Sequence, residues 1–333
     1  MSLPSNRPAN PPHRHHYIPS FYLKRWAAAD DNRLVQYSRP YKNSVVPQRK
    51  HPDGTGYVDR LYELRGMEGD LAQQIETRFF SPVDNAAADA LTAMERDGNR
   101  VVWNSRLRSG WSAFLHSLLL RAPEDLAVFK ATWRELMISD VTGEWERMYL
   151  QRRGPNEQPT YQEFVGNISE ESHERSAMQT LVSMIGNPNI GRTLNNMHWR
   201  VITTDTADYP FLTSDRPIIR TNGLMIKNGH LVLPIGPHRL FVAATDHEAL
   251  KLIFGMRQRD LVLETNRQVA DYAVKYVYGI DDKQLPFVQK HFGTKEQPRL
   301  VGAADEDREK MKARMLEIFT EMHDQASLSP IPP

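Results

Sequence analysis

The sequence contains no cysteine. Disulfide scaffolds, thiolate zinc sites, iron–sulfur clusters and thiol nucleophiles are therefore excluded. Net charge is nearly absent too: 42 Lys and Arg against 41 Asp and Glu leave +1, so no global field draws nucleic acid or a membrane surface. Long apolar runs are missing. The longest near-apolar stretch, residues 113–120, is broken by His116 and falls far short of the ~20 residues that span a membrane. Residues 1–12 are polar and Pro-rich with no apolar h-region, so nothing reads as a secretion signal and a cytoplasmic location is expected. The spelling Asn167-Ile-Ser169 then carries no glycosylation meaning. No G-x-S-x-G elbow, H-E-x-x-H pair or calcium loop occurs.

What is present suffices for a core. Apolar residues make up 40% of 333, with 12 Phe, 12 Tyr and 6 Trp, which rules out wholesale disorder. Residues 1–12 read as a flexible tail and 13–325 as a single α+β domain in three parts. A basic, aromatic segment (13–65) holds a short helix over 19–28 and strands over 33–38 and 44–48. A helical middle (70–197) carries helices opening at Pro82 and Pro123, an apolar-striped helix over 107–121, and helices over 144–152 and 170–186. After His198 the hydrophobic period switches to two. Strands are expected over 199–203, 217–221, 224–227, 230–233 and 240–244, the middle three as a meander turning at Asn222-Gly223 and Asn228-Gly229. Helices over 246–275, a strand over 276–280 and a helix over 305–323 complete the chain. The order points to helices packed on an antiparallel sheet spanning 199–244.

Four features bear on chemistry. His13, His15 and His16 lie within four residues, and in an extended chain alternate side chains share a face. His13 and His15 then suit one metal ion, or His15 and His16 divide as ligand and proton carrier, with further ligands needed from elsewhere. The competing reading is a buried pair bonded to backbone. Phe211-Leu-Thr-Ser-Asp-Arg-Pro217 places Thr213, Ser214 and Asp215 at a strand end, as a site or as a plain turn. Residues 1–65 hold eleven basic residues against five acidic ones, interleaved with Tyr17, Phe21, Tyr22, Trp26, Tyr37, Tyr41 and Tyr57. That mixture suits single-stranded nucleic acid, or simply a solvated aromatic-rich segment. Arg121 ends an apolar helix, where a base offsets the macrodipole unless it points into a cleft. Gly186-Asn-Pro-Asn-Ile-Gly191-Arg192-Thr193 imitates a phosphate loop, but it lacks the Lys and the preceding strand, and a helix stop followed by a turn at Pro188 explains it.

The string His15-His16-Tyr17-Ile18-Pro19-x-Phe21-Tyr22-Leu23, with Arg121-x-Pro123, Phe211 to Pro217, Leu233-Pro234 and Asn266, resembles domain-of-unknown-function family 4238 from about residue 15 to 280. The chain departs from its pattern at Ser20, Trp26, Ala122 and Arg216, the last placing a charge beside the candidate site. The resemblance implies that His15, His16, Arg121, Ser214, Asp215 and Asn266 form one constellation, and it supplies no reaction. Two functions are carried forward. One is a metal-assisted hydrolase cleaving phosphodiester bonds of nucleic acid. In it His15, His16 and Asp215 hold a divalent ion, one His moves a proton, Arg121 stabilises phosphate charge, and residues 13–65 bind the substrate. The other is a non-enzymatic binding or structural protein in which the His pair and the Thr-Ser-Asp turn are packing elements.

Overall fold

The computed structural model describes residues 13–296, except 42–43, 140–142, 206, 222–223 and 225. The expected tail 1–12, the Asn222-Gly223 turn and the helix over 305–323 lie outside the described residues.

The N-terminal part runs β1 (Arg14–His16), a short α1 (Ser20–Leu23) extended by a 3-10 turn at Lys24–Trp26, β2 (Leu34–Tyr41), β3 (Ser44–Lys50) and β4 (Tyr57–Asp59). Next come α2 (Gly69–Ala72) and a π-helical stretch, Glu76–Phe80, that leads directly into α3 (Ser81–Asp97). Helices α4 (Ser105–Leu118), α5 (Pro123–Ser139), α6 (Glu144–Arg152), α7 (Tyr161–Gly166), α8 (Glu170–Ile185) and α9 (Pro188–Asn196) follow. The rest is β5 (His198–Thr203), β6 (Thr213–Ser214), β7 (Ile219–Arg220), β8 (His230–Gly236), β9 (Arg239–Ala244), α10 (His247–Phe254), α11 (Gln258–Asp271), β10 (Val277–Gly279) and α12 (Leu285–His291). The fold is α+β. None of the described helices is long and apolar enough to cross a membrane.

Local chemistry accounts for the helix ends. Pro82 occupies the first turn of α3, Asn104 caps α4 by accepting from Leu107 N, and Asp246 caps α10 by accepting from Ala249 N. The imitation phosphate loop is a helix-to-helix connection. Asn187 caps α9 through Asn189 N and Ile190 N, so a full helix stands where a turn was expected.

Strand pairing departs from the expectation of one sheet over 199–244. Two four-stranded antiparallel sheets form, ordered β5-β9-β8-β7 and β3-β2-β10-β6, with β1 and β4 paired separately. The expected three-strand meander is corrected as well: β7 pairs directly with β8, Ile219 opposite Val232 and Arg220 opposite Leu231. Among the described residues of 224–227 no strand forms. At Ile226–Gly229 the turn closes through Gly229 N to Ile226 O, 2.9 Å. Only Asn228 (φ 60°) is left-handed there, whereas a two-residue type I′ hairpin needs two such residues. A Cβ on Gly229 would sit 2.6 Å from the Leu224 carbonyl oxygen, so the loop closes only over glycine. Ile218, Leu231 and Leu233 are core residues, as their alternation requires.

One core joins parts distant in sequence. Tyr17, Tyr22, Leu23 and Trp26 pack with α3, α4 and the β5-β9-β8 sheet. Trp26 Nε1 donates to Phe211 O (2.8 Å) and the Tyr22 hydroxyl to Pro234 O (2.6 Å). Four residues of helix cannot hold themselves together; large buried rings with satisfied polar ends fix α1 in place.

Candidate functional site

Residues 14–16 are the strand β1, whose side chains alternate between environments, and the expected constellation divides accordingly. His15 is fully buried. Its Nδ1 accepts from Tyr62 N (2.9 Å), so its Nε2 carries the proton and donates to Gln73 Oε1 (2.6 Å). Its ring stacks on Tyr62 at 5.5 Å. Both nitrogens are committed to partners within the protein. His13 is exposed, so it shares no site with His15.

Asp215 is likewise committed. Its carboxylate accepts from Val274 N (2.9 Å), Lys275 N (2.5 Å) and Tyr276 N (3.1 Å), while its own N–H bonds Tyr276 O. Burial pushes its pKa up to about 6 against the pull of those amides. Its charge acts on Tyr17, Tyr278 and Arg216; the Tyr17 hydroxyl pKa is raised chiefly by burial and then by Tyr278, Asp215, Tyr276 and Glu124. Ser214 Oγ accepts from Arg216 N (3.1 Å), and Thr213 bonds the Tyr22 hydroxyl (2.7 Å). Asn266 lines a cavity of about 290 Å³ with Tyr209, Leu263 and Phe287. Its amide nevertheless joins backbone segments: Oδ1 accepts from Leu212 N, and Nδ2 donates to Pro210 O and Gln284 Oε1. The expected ligand set His15, His16 and Asp215 therefore does not form. Among the described residues no three His, Asp or Glu side chains converge as a metal site.

His16 and Arg121 behave differently. Arg121 follows α4 at the corner before α5 and is 0% exposed, so it is no solvated helix-end base. Its guanidinium lies over Phe80 (5.7 Å) and Phe114 (5.5 Å), and Nη1 donates to Asp84 Oδ1 at 2.9 Å. Nε and Nη2, the donors of one edge, are buried without a hydrogen-bond partner among the described residues. His16 Nε2 and Glu76 Oε2 are buried and unpartnered in the same way. The Arg121 charge acts on both. His16 is held below its ordinary 6.5, first by burial and then by Arg121 and Arg14, with Asp53 opposing. Glu76 is raised to about 7, first by burial and then by Asp84, with Arg121 opposing. Asp84 is raised by burial, against the pull of Arg121. Tyr62 fixes the backbone of the corner by donating to Arg121 O (3.0 Å).

Glu76, Phe80 and Asp84 escaped the sequence reading. Gln73, Glu76, Phe80 and Asp84 recur at three- and four-residue spacing, the signature of one helical face. Starting a helix at Pro82 split that face in two. The chain instead runs through Pro82 from a π-helical stretch, a geometry often found at functional sites.

Part of the basic aromatic segment packs in the core. Tyr17, Tyr22, Trp26 and Tyr37 are core rings that cannot stack on a base. Arg25, Arg49 and Arg65 pair with Glu95 (2.7 Å), Asp31 (2.6 Å) and Glu174 (3.2 Å). The Asp215 turn is still mechanically tied to the Arg121 corner. Arg216 pairs with Asp125, and Lys275 with Glu124 (2.8 Å), both in the first turn of α5.

Residues 14–283 match the model of the family described as a protein of unknown function, DUF4238. The chain belongs to that family. No curated protein and no solved structure matches it.

Glu76 makes a testable contribution to stability. Its folded pKa (about 7) lies above its ordinary 4.5, so the folded state holds the proton more tightly than the unfolded state. The stability contributed is present below pH 4.5 and is lost as pH rises through 7. Thermal melts of wild type and Glu76→Gln should match most closely at low pH, and the variant should be the more stable above pH 7. A constant difference across that window would show that Glu76 titrates normally.

Proposed function

We propose that the protein is a hydrolase of phosphate diesters, the nucleic-acid backbone being the candidate diester, with His16, Arg121 and Glu76 as its working residues. One observation carries the reading: three buried polar groups, the Nε–Nη2 edge of Arg121, His16 Nε2 and Glu76 Oε2, have no partner among the described residues, and the Arg121 charge acts on the other two. Such groups cost stability unless something else requires them. The guanidinium edge matches two oxygens of a phosphate group and offsets the charge that builds there. Neutral His16 takes a proton from water as its oxygen bonds to phosphorus. Protonated Glu76 gives its proton to the ester oxygen as the P–O bond breaks. Proton exchange with solvent restores both groups. The divalent ion expected from the sequence has no ligand set among the described residues, and each step runs through side chains.

The test uses bis(4-nitrophenyl) phosphate and an end-labelled oligonucleotide. kcat/KM should follow a bell, rising as His16 loses its proton below pH 6.5 and falling as Glu76 ionises near pH 7. His16→Gln should cost about 10²-fold in kcat, the lower range for a general base. Absence of turnover in the wild type rejects the enzyme. The second reading, a non-enzymatic anion-binding protein, is favoured by the committed state of His15, Asp215 and Asn266. It would show saturable binding of the diester without hydrolysis.

A further inference from the structure

We infer that the Arg121 site selects a singly charged oxyanion, a diester in form, and discriminates against doubly charged phosphate monoesters. This rests on the reading above that the free Arg121 edge receives the ligand. Three features of the geometry carry it.

Arg121 is the buried cation at the site, and its charge is already offset by Asp84, 2.9 Å from Nη1; Arg14, whose charge also acts on His16, is exposed to solvent. Glu76 adds a second carboxylate on the same helical stretch, and its charge acts on the same neighbours as that of Asp84. The remaining surroundings are apolar or neutral. Phe80 and Phe114 cover the guanidinium, the Tyr62 ring packs on Phe80 at 4.3 Å, and its hydroxyl is turned to the Arg121 carbonyl.

A singly charged ligand laid along the Nε–Nη2 edge gains two charge-assisted hydrogen bonds. It meets one compensated cation and a carboxylate that is readily protonated. A second charge on the ligand gains no further buried cation among the described residues at the site, Arg14 being exposed. It adds repulsion from Asp84 and Glu76 in a place where burial weakens screening. Sites that hold dianionic phosphate do so with several cations, a metal ion or a run of backbone N–H donors. Arg121 alone, half neutralised, is suited to the diester.

The probes are diethyl phosphate, ethyl phosphate and inorganic phosphate, titrated calorimetrically into the full chain at pH 8 and at pH 5.5. At pH 8 the monoester and inorganic phosphate are largely dianionic, since the second pKa is about 6 for a monoester and about 7 for inorganic phosphate. Diethyl phosphate should then bind at least about tenfold more tightly than either, a difference of about 1.4 kcal/mol. At pH 5.5, where the others carry mostly one charge and Glu76 and His16 have moved toward their protonated forms, the preference should shrink severalfold. Asp84→Asn, which removes the offsetting charge and keeps the shape, should shrink it at pH 8 as well. Ethyl phosphate binding as tightly as the diester to the wild type at pH 8 overturns the charge selection and leaves the anion site standing. A preference unchanged by pH also overturns it, because the pocket would then be sorting by shape. Failure of all three probes to bind overturns the selection together with the reading on which it rests.

Discussion

Arg121→Met should destabilise the protein by about 3–5 kcal/mol, the usual cost of leaving a buried charge without its partner, and should abolish anion binding. Asp84 is the group left behind, pushed toward protonation by burial once the Arg121 charge that holds its pKa down is gone. Loss of activity in that variant is ambiguous, because damage to the fold would have the same effect. The double variant Arg121→Met with Asp84→Leu separates the two. Replacing a buried ion pair by apolar groups of similar size is often neutral or stabilising, so the melting temperature should return to near that of the wild type. Hydrolysis of bis(4-nitrophenyl) phosphate should remain at least about 10²-fold down, the loss typical when one oxyanion-stabilising donor is removed. A stable double variant with wild-type turnover would make Arg121 a packing residue and end the proposed function.

Asp215→Asn should be the second costly change. The reason is the commitment of this side chain to the backbone. The carboxylate receives three backbone N–H groups from residues 274–276. An amide there presents its own NH₂ to at least one of them, donor against donor. Hydrogen bonds to a charged acceptor contribute about 1.5–3 kcal/mol each, and a buried donor left unpaired is costly in its own right. A loss of about 3 kcal/mol in denaturant unfolding is expected, with residual activity following the folded fraction. A variant that melts normally but has lost turnover would return Asp215 to the chemistry.

Which letters mattered was partly legible in the sequence, and what they do was not. His15 and His16 are adjacent and chemically equivalent as text. Pairing with β4 turns His15 into a slot between Tyr62 and Gln73, where both nitrogens are satisfied. It leaves His16 Nε2 unpartnered within reach of Arg121. Arg121 was legible as a base ending an apolar helix, but its full burial depends on Phe80, which arrives from a different helix. Glu76 and Asp84 are hidden in the text because Pro82 reads as a helix start, whereas the chain continues through it from a π-helical stretch.

By itself the sequence determined the local elements. The boundaries of α5, α6 and α8 follow from caps, prolines and apolar periodicity, and these act over a few residues. The same holds for the turn at Asn228, where one residue adopts the left-handed conformation. Only the tertiary structure decided that β10 lies between β2 and β6, with Tyr37 bonded to Asp281 O across 244 positions. It alone decided that the Asn-Gly region is a loop tied to the cap of α10 rather than a third strand. Strand partners and side-chain faces are set by which surfaces meet in the core. Period-two patterning says that one face is buried, and it does not say against what.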